Sequence, residues 1–143
     1  NDAEMRERIE RHRQQRSADW VTFEAPLELA SLLRETALKF DRILVDCLTL
    51  WLSNQMLTIP DHLDHAIESL LWAIEESRKR SQLFLVTNEV GMGIVPEIPL
   101  ARQFRDVSGL LNQKIAEIAD DVWLVTAGIP LKIKQRGMHV THF

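Results

Sequence analysis

The stretch LFLVTNEVGMGIVPE, residues 83–97, sets the reading of the whole chain. Its first five residues are apolar or β-branched, the pattern of a short buried strand. That strand empties into Asn88 and Glu89, then into a loop punctuated by Gly91, Gly93, Pro96 and Pro99. Beyond the loop, Leu100, Phe104, Val107, Leu111, Ile115 and Ile118 recur at the helical period. A second apolar run, VWLVT at residues 122–126, follows. A polar pair and two glycines at the carboxyl end of a buried strand stand where open α/β sheets place their ligands. The same residues also suit an ordinary strand-to-helix loop.

Upstream, RILVD at residues 42–46 is another buried strand, and it ends on an acid. Helical patterns separate the strands. Pro26 opens one whose apolar face is Leu29, Leu32, Leu33, Thr36, Ala37 and Phe40. CLTLWLSNQML is apolar and reads as helical, without clear boundaries. Pro60 and Asp61 start a helix running to about Arg80, with Leu63, Ile67, Leu70, Leu71 and Ile74 as its stripe and a basic last turn that suits the helix dipole. The pattern predicts a first helix that Asp2 is suited to cap, with Met5, Ile9 and His12 on one face, and residues 20–23 read as extended. A turn at residues 127–130 and a short LKIK follow the last strand. The alternation predicts an α/β fold in a single domain, doubly wound, with a mostly parallel sheet covered by helices. Asp46, Asn88, Glu89 and Gly128 then share one edge of that sheet.

An acid ending an apolar strand is where P-loop NTPases hold Mg²⁺. The partner motif GxxxxGK[ST] is absent from this sequence, and Gly91-Met92-Gly93 lacks the following Lys. A P-loop strand, loop and helix, about 30 residues, is therefore expected ahead of Asn1.

Composition narrows the classes. The chain has 143 residues, 45% apolar and 27% charged, as an ordinary globular domain does. A net charge of -4 argues against a general nucleic-acid binder. A single cysteine, Cys47, permits no internal disulfide and suits a reducing compartment, so a cytoplasmic location is expected. No apolar run reaches the roughly 18 residues of a membrane span, and the charged opening residues are not a signal peptide. His62 and His65 lie a helical turn apart but lack a third metal ligand, and read as an exposed helix start; His139 and His142 read alike. Cys47 and the tryptophans Trp20, Trp51, Trp72 and Trp123 read as packing residues.

Three segments carry a specific resemblance: EMRERIERHR at residues 4–13, ILVDCLTLWLSN at 43–54, and residues 86–134, above all NEVGMGIVPE followed by LARQFRD and LNQ. With them the chain resembles the adenosylcobinamide kinase/adenosylcobinamide-phosphate guanylyltransferase family of cobalamin biosynthesis. Members of that family open with a P-loop strand and helix that this sequence lacks. The resemblance implies a P-loop NTPase (RecA-like) fold and two reactions on one corrinoid. ATP or GTP phosphorylates the aminopropanol hydroxyl of adenosylcobinamide. GMP then passes from GTP to that phosphate through a guanylylated histidine.

By the motif RIERHRQQR the resemblance puts that histidine at His12, with Arg13, Gln14, Gln15, Arg16 and Glu24 on the guanine nucleotide. It puts Asp46 near Mg²⁺ and the nucleotide, and makes Asn88, Glu89, Arg102, Arg105 and Asp106 candidates for closing the site or meeting a neighbouring subunit. A homo-oligomer, a trimer, is the implied assembly. From spacing alone, His12 fits equally a helix-end histidine, Asp46 a helix cap, and Arg105 with Asp106 a local charge pair. Two rival functions share the scaffold: a recombinase-type P-loop ATPase, and a nucleotide-binding subunit without turnover.

Overall fold

Strands β1 (Arg42–Asp46) and β2 (Gln82–Val86) lie side by side and parallel, with Leu44 opposite Phe84 and Asp46 opposite Val86. The structure is a computed structural model and describes residues 19–138. Parallel neighbours require a crossover. Helix α2 (Leu48–Thr58), a 3-10 turn (Pro60–His62) and helix α3 (Leu63–Ser77) supply it. Helix α1 (Leu29–Thr36) precedes β1, and a 3-10 turn (Val90–Met92) leads from β2 to helix α4 (Pro99–Ile118). Among the described residues the helices and strands expected from Pro26 onward form, with boundaries shifted by a few residues: α1 starts at Leu29 rather than near Pro26, residues 20–23 join no strand ladder, and the helix expected from Asp2 lies outside the described residues.

The core lies on one face of the sheet. Ile43, Val45, Leu83 and Leu85 pack against Leu33, Leu48, Leu52, Leu70 and Leu111 from the four helices. Fully burying such leucines contributes about 1.5–3 kcal/mol each. The other face of the same strands carries Leu44, Phe84 and Val86, which remain 40–46% exposed. Among the described residues the helices thus cover one face only. The shown architecture is a mixed α/β domain with a small parallel sheet, and both-sided winding is not part of it.

The third predicted strand departs from expectation. Strand β3 (Val122–Thr126) pairs with β4 (Ile129–Lys134), antiparallel, in a sheet separate from β1 and β2. The reason is the turn between them. Ala127 and Gly128 adopt φ of 53° and 76°, and two successive left-handed residues make the primed turn whose twist matches a two-stranded hairpin. Glycine takes that conformation freely; for Ala127 it is strained.

Lys134 ties this hairpin to α4, and Arg78 fixes the segment between α4 and β3. Lys134, 8% exposed, donates from Nζ to the carbonyls of Ala116, Glu117 and Ala119 at 2.6–2.9 Å. It satisfies the carbonyls that the end of α4 leaves unpaired and places a cation at the negative end of the helix dipole. Arg78, expected to serve its own helix, instead donates to the carbonyl of Ile118 and pairs with Asp120 at 2.9 Å. Lys134→Met keeps most of the stem but orphans the carbonyls. Urea denaturation should show a loss of about 2–4 kcal/mol, and a change below about 0.5 kcal/mol would mean that water replaces the ammonium.

Three of the four tryptophans are not core residues. Trp51 is 3% exposed, whereas Trp20, Trp72 and Trp123 are 50–53% exposed. Cations cover two of these: Arg34 lies 4.5 Å from the centre of the Trp72 ring and Lys132 Nζ 4.8 Å from that of Trp123. Such pairs keep indoles at a wet surface. Cys47 is half-buried as the residue capping α2, and His62 and His65 are exposed at the start of α3. His139 and His142 lie outside the described residues.

Candidate active site

The carboxyl ends of β1 and β2 place Asp46 beside Val86, so that Thr87, Asn88 and Glu89 continue along the same edge. Asp46 is exposed and makes no hydrogen bond or ion pair among the described residues. Next to it, Asn88 is held on both sides of its backbone. Its N–H donates to Thr49 Oγ1 at 2.8 Å, and its carbonyl accepts from Asn112 Nδ2 at 3.2 Å. Thr87 Oγ1 donates to Asn112 Oδ1 at 2.8 Å and lies 3.4 Å from Thr49 Oγ1. Three elements, α2, β2 and α4, meet in these contacts.

The loop beyond is braced from α4. Glu89 Oε1 accepts from the Gly91 N–H at 3.2 Å. A Cβ at position 91 would come within 2.9 Å of that same oxygen, so a larger residue there would push the Glu89 carboxylate aside. Arg105 Nη2 donates to the Gly91 carbonyl at 2.7 Å, and Arg102 Nη1 to those of Pro96 and Glu97 at 3.1 and 2.5 Å. Both arginines spend these donors on their own loop. Asp106 is exposed, and it forms no ion pair with Arg105 among the described residues. Held in this way, the loop presents Met92, Ile94, Val95 and Ile98 at 61–97% exposure.

Glu24 is exposed on the segment leading into α1. That segment is strapped down by α2: Trp51 Nε1 and Gln55 Nε2 both donate to the Leu27 carbonyl, at 3.1 and 2.8 Å, and Asn54 Nδ2 to that of Pro26 at 3.3 Å. His12, Arg13, Gln14, Gln15 and Arg16 lie outside the described residues. The structure thus brings Asp46, Asn88 and Glu89 to one edge and gives Arg102 and Arg105 to the adjoining loop.

Sequence reasoning missed Thr49, Asn112 and the strap from Trp51, Asn54 and Gln55. Asn112 did leave a signal, since it sits off the apolar stripe of its helix beside buried Leu111. Thr49 and Gln55 left none inside an apolar run.

No cluster of three or more His, Cys, Asp or Glu that could cage a metal exists among the described residues. Mg²⁺ is ordinarily held by one or two carboxylates, with water and substrate phosphates completing the octahedron. A lone, unpaired strand-end carboxylate fits that mode.

The sequence profile of the cobinamide kinase / cobinamide phosphate guanyltransferase family matches residues 1–133. The chain is 45% identical to the bifunctional adenosylcobalamin biosynthesis protein CobP of Pseudomonas aeruginosa over 134 residues, covering 93% of this chain and 76% of that relative. It is 41% identical to the CobU proteins of Salmonella typhimurium and Escherichia coli, covering 93% of this chain and 80% of each. No helix of the described residues is long and apolar enough to cross a membrane. A profile match over nearly the whole chain, with relatives above two-fifths identity, decides the assignment: the chain belongs to the cobinamide kinase / cobinamide phosphate guanyltransferase family.

Proposed function

We propose that this protein carries out both transfers of its family on one corrinoid, first as a kinase and then as a guanylyltransferase. In the first, the aminopropanol hydroxyl of adenosylcobinamide attacks the γ-phosphorus of ATP or GTP, and the nucleoside diphosphate leaves. In the second, an imidazole nitrogen of His12 attacks the α-phosphorus of GTP and pyrophosphate leaves. A phosphate oxygen of adenosylcobinamide phosphate then attacks the same phosphorus. The P–N bond breaks, adenosylcobinamide-GDP forms and the imidazole is regenerated. A neutral imidazole is a competent nucleophile, and the phosphoramidate it makes is labile enough to pass the group on.

The observation that carries this reading is the family match across residues 1–133, which includes RIERHRQQR. Arg11, Arg13 and Arg16 neutralise charge on the phosphates, and Arg13, Gln14, Gln15, Arg16 and Glu24 contact the guanine nucleotide. Asp46 holds Mg²⁺, whose role is to offset the charge gathering on the transferred phosphates. Asn88 and Glu89 close the same edge.

The fold is proposed to be of the doubly wound P-loop type. The uncovered face bearing Leu44, Phe84 and Val86 supports this, because parallel strands are ordinarily buried on both sides. The assembly is proposed to be a homotrimer in the cytoplasm. Exposed Met92, Ile94, Val95 and Ile98 on a braced loop support self-association there.

Incubation of the protein with labelled GTP and Mg²⁺ tests the chemistry. The expected product is a protein heavier by one GMP, with the label released by acid and retained in mild base. Absence of any adduct under conditions where the phosphorylated corrinoid is converted to product would sink the histidine route.

A further inference from the structure

We propose that Thr49, Thr87 and Asn112 are positioning residues that fix Asn88 for group transfer at the strand-end rim, an inference that rests on the function proposed above. The four residues form a closed ring of hydrogen bonds, and the chemistry of the groups dictates its direction. Asn88 N–H can only donate, so Thr49 Oγ1 accepts, at 2.8 Å. The proton of Thr87 Oγ1 goes to Asn112 Oδ1 at 2.8 Å. Thr87 has no second proton to give, so across the 3.4 Å gap Thr49 donates and Thr87 accepts. Asn112 Nδ2 closes the ring on the Asn88 carbonyl at 3.2 Å. Each hydroxyl donates once and accepts once, an arrangement in which neighbouring bonds polarise one another.

The ring therefore grips both polar atoms of the Asn88 peptide and leaves its side chain out. The Asn88 carboxamide forms no hydrogen bond among the described residues. It stands exposed two residues past the end of β2, along the edge that carries Asp46. A carboxamide held rigidly at its backbone suits a phosphate oxygen, to which it donates, or an acceptor hydroxyl, from which it accepts. Thr49 and Asn112 are half-buried, and Thr87 is exposed. Water competes for such bonds, so the ring adds little to global stability and its effect is on geometry. Small misplacements of a group beside a reacting phosphate cost rate far out of proportion to their size.

The test uses the full chain with the corrinoid, ATP and GTP, and compares Thr49→Val, Thr49→Ser, Asn112→Leu and the Thr49→Val/Asn112→Leu double variant. Thr49→Val replaces the hydroxyl by a methyl, removing the acceptor of the Asn88 N–H and the donor to Thr87, and should lower kcat of at least one transfer about tenfold, with the nucleotide KM within about twofold. Thr49→Ser keeps the hydroxyl and both of its hydrogen bonds, and should stay within about threefold of the parent. The double variant should be no worse than about twofold below the more impaired single variant, because either break opens the same ring. Urea midpoints of the variants report folding separately, and Asn112→Leu breaks the ring independently should Thr49→Val fold poorly.

Three results overturn the proposal: kcat of both ring-breaking variants within about twofold of the parent, a Thr49→Ser variant as impaired as Thr49→Val, or multiplicative losses in the double variant. A parent protein inactive in both transfers fails the functional reading and takes this inference with it. An active parent with insensitive variants fails the ring alone.

Discussion

His12→Asn is expected to abolish the covalent GMP adduct, lowering label retained on the protein by a factor on the order of 10³ or more. Asparagine is close to histidine in size and polarity, but its amide nitrogen has no lone pair available for attack on phosphorus. The phosphoryl transfer to adenosylcobinamide does not pass through the imidazole. The variant should therefore still phosphorylate the corrinoid with ATP at a rate within about threefold of the parent. This split makes the test sharp. A loss of both activities points to a folding or binding defect, and persistent labelling at full stoichiometry means that another nucleophile carries the GMP. The rival reading as a recombinase-type ATPase has no place for the adduct at all. Mass measurement of the intact protein before and after acid treatment checks each outcome.

Asp46→Asn should lower phosphoryl transfer by roughly 10²–10³-fold, the scale seen when one preorganised electrostatic partner of a transition state is removed. The change is isosteric and removes one negative charge. Its expected selectivity follows from the structure. Asp46 is exposed and has no ion pair or hydrogen bond among the described residues, so the fold should lose no more than about 0.5 kcal/mol. Activity should fall while the urea midpoint holds. Raising Mg²⁺ should recover part of the rate if the carboxylate serves metal binding. A variant within about threefold of the parent at low Mg²⁺ would show that the strand-end acid is not part of the phosphate site. The contrast with Lys134→Met is instructive, since that substitution should move stability first.

Much of this molecule can be read from the chain, for identifiable reasons. RILVD became β1 without a shift, because the three apolar residues Ile43, Leu44 and Val45 are bounded by the charged Arg42 and Asp46, too short a run for a helix. The stripe Leu100 to Ile118 became α4 because a 3.6-residue period over five turns outweighs any local ambiguity. VWLVT was legible as a strand but not as a hairpin strand. Its partner was chosen by φ > 0 at Ala127 and Gly128, and alanine does not advertise that conformation. Trp72 and Trp123 misled because composition cannot tell an indole in the core from one covered by a guanidinium or an ammonium.

By itself the sequence determined the family, the order of strands and helices, and the candidate chemistry at His12 and Asp46. These depend on residue identity and on periods of a few residues, which the chain carries locally. Only the tertiary structure could join Thr49, Thr87 and Asn112 around Asn88, across separations of 24–39 residues, or place Lys134 at the end of α4. Residues 83–97 also take their meaning from tertiary contacts. The polar pair after β2 is a clamped peptide facing the edge with Asp46, and the glycine loop is a structure braced by Arg102 and Arg105. Hydrogen bonds between distant residues are set by how helices pack on the sheet, and packing is a property of the whole core that no window of sequence contains.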